Sequence, residues 1–125
     1  MTGGYEDLCR ITDAVYQADL ARMRRLAADE AGLRATLDDL DRQLRDSLGG
    51  QFEGEASWRA VGADEAWRKW LIRRRVDVNT QLARTLVRKA EATEQLRLAF
   101  ARKQVSADLL NQQREADRLA RSRRA

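Results

Sequence analysis

Residues 49–62 read GGQFEGEASWRAVG and hold four of the chain's seven glycines. With no proline anywhere in the 125 residues, this is the one break in an otherwise uninterrupted helical pattern. Glycine supplies the left-handed residue that closes a helix, so Gly49 and Gly50 are expected to end the segment before it. A connection of this length is longer than most. Phe52 and Trp58 within it have two readings, folding back on the helix ends or presenting an exposed contact.

Upstream, a helix is expected over about 5–48. Glu6 and Asp7 favour its first turn through the helix dipole. Leu8, Ile11, Val15 and Ala18 follow a three-four spacing, and Met23, Leu26, Leu33, Leu37, Leu40 and Leu44 resume it, with Glu30 interrupting. The two runs are out of step by one residue near Leu20, as at a stutter, which locally unwinds a supercoil. Downstream, a second helix is expected over about 63–121, with Asp64 and Glu65 in its first turn. Trp67, Leu71, Val78, Leu82, Leu86, Leu96, Phe100, Ala107 and Leu110 mark its apolar stripe. At about 1.5 Å per residue the helices would span roughly 65 Å and roughly 85–90 Å.

Two long helices joined in mid-chain are antiparallel neighbours. The expected fold is all-α, an antiparallel two-helix coiled-coil hairpin forming a single domain over residues 1–125. Leu8 should lie toward Leu110, and Leu44 toward the Trp67–Leu71 end. Charged residues make up 35% and aromatics 6% of the chain. That composition suits long helices with a narrow seam and not a thick core.

The chemistry points away from an enzyme. Histidine is absent, which removes the commonest general base near neutral pH and the commonest zinc ligand. The single cysteine, Cys9, has no histidine to activate it and forms no internal disulfide. Neither glycine-rich phosphate loop occurs. No cofactor, metal or small-molecule substrate is expected. Asp38 with Arg42, Asp41 with Arg45, Asp64 with Arg68 and Glu65 with Lys69 are read as helix-face ion pairs, four apart with the acid first. No apolar run approaches the ~20 residues that span a bilayer. MTGGYEDLCR lacks the basic-then-apolar pattern of a secretory signal. A soluble, cytoplasmic protein is expected.

Residues 67–75, WRKWLIRRR, set two tryptophans, a leucine and an isoleucine among five basic residues. On a helix, Trp67, Leu71, Arg74 and Val78 share one face, with Trp70 and Arg73 beside it. Part of this set can serve the seam. Exposed tryptophan and arginine together are also what protein interfaces enrich. Trp67, Trp70, Leu71, Arg73, Arg74 and Val78 are therefore the candidate partner-binding residues.

The pattern resembles the FliJ family, small cytoplasmic proteins of the bacterial flagellar type III export apparatus. In that family a bulky aromatic is followed by a leucine four residues on, and by Gln-Leu at fourteen and fifteen. Trp67, Leu71, Gln81 and Leu82 keep that spacing, and RLAFARKQ at 97–104 is similar to the family's basic stretch. As architecture the resemblance covers residues 5–120. It implies a hairpin similar to the stalk of the rotary ATPase gamma subunit, which binds the export ATPase ring and promotes its assembly. It also implies contact with the cytoplasmic domain of the export-gate membrane protein, and escort of export chaperones. The protein would then be cytoplasmic and peripheral at the membrane-associated apparatus. The family's gate-binding face maps onto Trp67, Leu71, Arg74 and Val78. Arg74 and Val78 depart from it, since the family usually has a small and a polar residue there.

Two other readings fit the sequence. One is a generic coiled-coil assembly adaptor. The other is nucleic-acid binding through Arg68, Lys69, Arg73, Arg74 and Arg75 with the basic tail of Arg118, Arg121, Arg123 and Arg124. Interleaved acidic residues and the lack of a recognition motif argue against nucleic acid.

Overall fold

The computed structural model describes the backbone of residues 3–49 and 57–125, and the side chains of 3–48 and 62–125. Two α-helices, α1 (Gly3–Gly49) and α2 (Ser57–Arg124), pack against each other as an antiparallel hairpin. α1 ends at the predicted glycine. α2 begins earlier than the sequence pattern implies, at Ser57, and runs straight through Gly62. A Cβ at Gly62 would meet nothing within 4 Å. A glycine there costs only helix propensity, about 1 kcal/mol, which a long helix absorbs. Asp64 and Glu65 consequently lie beyond the first turn. Phe52 and the Trp58 side chain lie outside the described residues.

Contacts gather the chain into two compact units, one of Leu26–Arg88 and the other of Met1–Arg25 with Lys89–Ala125. In the Leu26–Arg88 unit the core is Leu40, Leu71 and Val78, with Leu33, Leu37 and Leu44 packed against it. Leu71 and Val78 are 1% and 0% exposed. Burying such side chains contributes about 1.5–3 kcal/mol each. Asp41 bridges across to Arg75 at 2.7 Å. Arg68 donates to the Ser47 carbonyl at 3.0 Å, in the last turn of α1, where the helix dipole favours a cation.

The unit of the two chain ends is held differently. Arg114 pairs with Glu6 at 3.6 Å, and Lys103 with Asp13 at 3.1 Å. The Lys103 ammonium also stands 4.7 Å from the centre of the Tyr16 ring, which meets Phe100 at 5.9 Å. Thr12 and Ser106 share a hydrogen bond of 2.7 Å, and the Thr93 hydroxyl donates to the Met23 sulfur at 3.6 Å. The order of these pairs, rising on α1 and falling on α2, is antiparallel.

The seam differs from the predicted stripe in both helices. On α1 the covered stripe runs through Tyr5, Cys9, Thr12, Tyr16, Asp19 and Met23, then Leu26, Glu30, Leu33, Leu37, Leu40, Leu44 and Ser47, with Asp13, Leu20, Thr36 and Asp41 partly covered beside it. That is an unbroken three-four alternation, so there is no stutter. Leu8, Ile11, Val15 and Ala18 are exposed instead. The leucines from Leu26 to Leu44 set a phase, and one continuous helix keeps that phase; a shift of one residue would have been needed to bring Leu8, Ile11 and Val15 inward. On α2 one series of buried residues recurs every seventh position, Leu71, Val78 and Thr85 in one unit and Ala92, Ala99 and Ser106 in the other, with Leu82 and Leu110 four residues past Val78 and Ser106. Trp67, Leu86 and Phe100, expected in the seam, are exposed, while Leu82 and Leu110 are buried as expected.

Candidate functional site

The start of α2 carries the tryptophan–arginine segment, and the heptad phase decides where each member points. Leu71 and Val78, seven apart, fall on the seam and are buried. This corrects their assignment as partner-contact residues: they hold the hairpin together and present no surface. Trp67 lies four residues before Leu71 and Trp70 one before it, on the flank of the stripe, and they remain 45% and 49% exposed. Their rings stack on each other, with centroids 5.1 Å apart and planes inclined by 9°. One helical turn fixes this geometry, since residues three apart are surface neighbours.

The five basic residues of the segment divide by partner. Arg68 turns inward to the Ser47 carbonyl, Lys69 pairs with Glu65 at 3.7 Å, and Arg75 pairs with Asp41. Arg73 is exposed and, among the described residues, donates only to the Lys69 carbonyl, at 3.4 Å. Arg74 is exposed and enters no ion pair among the described residues. The surface that remains is a stacked pair of indoles beside two guanidinium groups. An indole pair offers a broad apolar plate with N–H edges, and arginine offers a planar donor fork. Such a plate suits a protein surface with an apolar knob and a carboxylate beside it.

Of the four helix-face ion pairs read from the sequence, Glu65–Lys69 forms as expected. Arg42 takes Asp39 at 2.6 Å and not Asp38. Asp41 and Arg68, expected to pair within their own helices, instead reach across the seam. Sequence spacing identifies neighbours along one helix. It carries no information on the competing group opposite, and that group won in both cases.

Among the described residues no group of three histidine, cysteine, aspartate or glutamate side chains is arranged to hold a metal ion. Nor is any described helix long and apolar enough to cross a membrane. Compared with known proteins, the chain matches no family model, no curated protein and no solved structure.

Proposed function

We propose that this chain is a non-enzymatic docking hairpin, which holds partner proteins through Trp67, Trp70, Arg73 and Arg74. The observation that carries this reading is the stacked pair of tryptophans left about half exposed. Large aromatic surface is costly to leave in water, and tryptophan with arginine is the composition of interface hot spots. The buried Leu71 and Val78 belong to the seam and not to this surface.

The resemblance to the FliJ family supplies the setting: a cytoplasmic component of a bacterial flagellar type III export apparatus, peripheral at the membrane. The partners are then the export ATPase, the cytoplasmic domain of the export gate and export chaperones. The test is addition of the purified chain to the export ATPase of the same organism, followed by the ATPase's oligomeric state. Increased oligomerisation is expected, with no hydrolysis by the chain alone. No change in the ATPase, together with tryptophan-dependent capture of an unrelated assembly protein, would replace this setting by a generic coiled-coil adaptor.

Nucleic-acid binding is disfavoured by the division of the basic cluster. Three of its five members are engaged with Ser47, Glu65 and Asp41, and in the tail Arg118 is held by Glu115 at 2.6 Å. Phosphate-driven binding would appear as duplex affinity falling steeply between low and moderate salt.

A further inference from the structure

One buried hydroxyl of the Leu26–Arg88 unit, on a residue separate from the tryptophan plate, is left without a partner. Thr85 is 7% exposed, yet its side chain makes no hydrogen bond among the described residues. The other threonines described, Thr12, Thr36, Thr80 and Thr93, each donate to the carbonyl four residues back. A buried hydroxyl that forgoes such a bond costs stability. Nor is the Thr85 hydroxyl sealed away, since among the described residues Arg68 Nε is the only fully enclosed polar side-chain atom without a partner. Thr85 lines a groove of about 600 Å³ between the helices, and there the hydroxyl has its opening.

Three more donors converge on the same groove. Gln81, Arg84 and Arg88 line it with Thr85. All four come from two turns of α2, at spacings of three and four that share one face. Arg84 and Arg88 are exposed and enter no ion pair among the described residues. On the α1 side Gly32 leaves room, because a Cβ there would meet nothing within 4 Å. Asp29 is the one acid in the lining. Charges of both signs stand beyond it, Asp77 and Glu91 on α2 and Arg25 and Asp39 on α1, so the net field does not choose the ligand. The donors do. Four side chains offer N–H or O–H groups to one space, and two guanidinium forks match the double charge of a phosphate monoester better than the single charge of a carboxylate. Asp29, as a carboxylate, only accepts and suits a hydroxyl on the same molecule. A space of this volume is the size of a small-molecule site.

We propose that this groove binds a small phosphorylated polyol, with Gln81, Arg84, Thr85 and Arg88 donating to the phosphate oxygens and Asp29 accepting from a hydroxyl. Calorimetry on the full chain, with glycerol 3-phosphate, inorganic phosphate and glycerol as probes, tests it. Glycerol 3-phosphate should bind, inorganic phosphate should bind more weakly, and glycerol should not bind. Arg84→Ala and Arg88→Ala should each weaken glycerol 3-phosphate at least roughly tenfold. Thr85→Val keeps the shape and removes the hydroxyl. It should weaken binding about tenfold while the melting temperature holds or rises. Gly32→Leu puts a side chain into the groove, and it should abolish binding with no loss of melting temperature, because leucine is the better helix former. Asp29→Asn should remove the advantage of glycerol 3-phosphate over inorganic phosphate. Should Thr85→Val or Gly32→Leu melt early, the other still decides. Binding of neither phosphate overturns the proposal. So does binding that survives both Thr85→Val and Gly32→Leu, which would mean attraction to surface arginines only. A preference unchanged in Asp29→Asn overturns the polyol and leaves a bare phosphate as the ligand.

Discussion

Leu71→Ala is expected to destabilise the hairpin by about 2–5 kcal/mol, the range for a buried leucine truncated in a packed core. Leu71 is 1% exposed and belongs with Leu40 and Val78 to the one core cluster of its unit, so the cavity has little to collapse into it. The neighbour supplies the control. Ile72 is a residue of equal size, one position along, and is 50% exposed. Ile72→Ala should change stability by no more than about 0.5 kcal/mol, as at other surface sites. Urea unfolding of the two variants beside the parent gives both values. Equal losses at the two positions would contradict the heptad phase that places Leu71 inside and Ile72 outside.

Trp70→Ala should do the opposite, leaving stability nearly intact and costing about 2 kcal/mol or more of partner affinity, roughly a thirtyfold rise in Kd. The stacked partner makes the argument sharper. Trp67 and Trp70 rest on each other, so removing one also loosens the other. The double variant should therefore lose less than the sum of the single losses, with a coupling of about 0.5–1.5 kcal/mol. Arg73→Ala and Arg74→Ala should bring smaller, salt-sensitive losses, because exposed charges act mainly on encounter. A melting curve and a binding isotherm for each variant separate the cases. If affinity falls only in proportion to stability, the plate is an extension of the core and the docking reading fails.

The hairpin itself was legible because its signals are local: a glycine cluster between two long periodic stretches, with no proline to end either. The seam was less so. Hydropathy alone marks the stripe by its large apolar residues and so picks out Leu8, Ile11, Trp67 and Phe100. The structure instead fills the seam with Thr12, Thr85, Ala92, Ala99 and Ser106. Small side chains carry little hydropathy signal, and Thr and Ser read as polar until a partner hydroxyl stands opposite, as Ser106 does for Thr12. The phase itself was available: extending the Leu26–Leu44 spacing toward the N-terminus without a break passes through Met23, Tyr16 and Cys9. For the site, the sequence located the tryptophans and arginines. It did not show that Leu71 and Val78 are buried in the seam, since only the opposing helix decides which stripe is covered.

The contrast between the two seams also sets an order of assembly. Joining Arg68 to Ser47 brings together residues 21 apart in the chain, whereas Thr12 and Ser106 are 94 apart. Closing the longer loop first would cost about 1.3 kcal/mol more chain entropy, and beside Leu110 the side chains it buries include the small Ala92, Ala99 and Ser106, where the shorter loop buries Leu40, Leu71, Val78 and Leu82. The hairpin therefore zips from its glycine end, and the chain termini come together last and part first. In amide hydrogen exchange, protection should be greatest around Leu37–Leu44 and Leu71–Val78 and decline toward residues 3–16 and 106–124, with the reverse gradient ruling this order out.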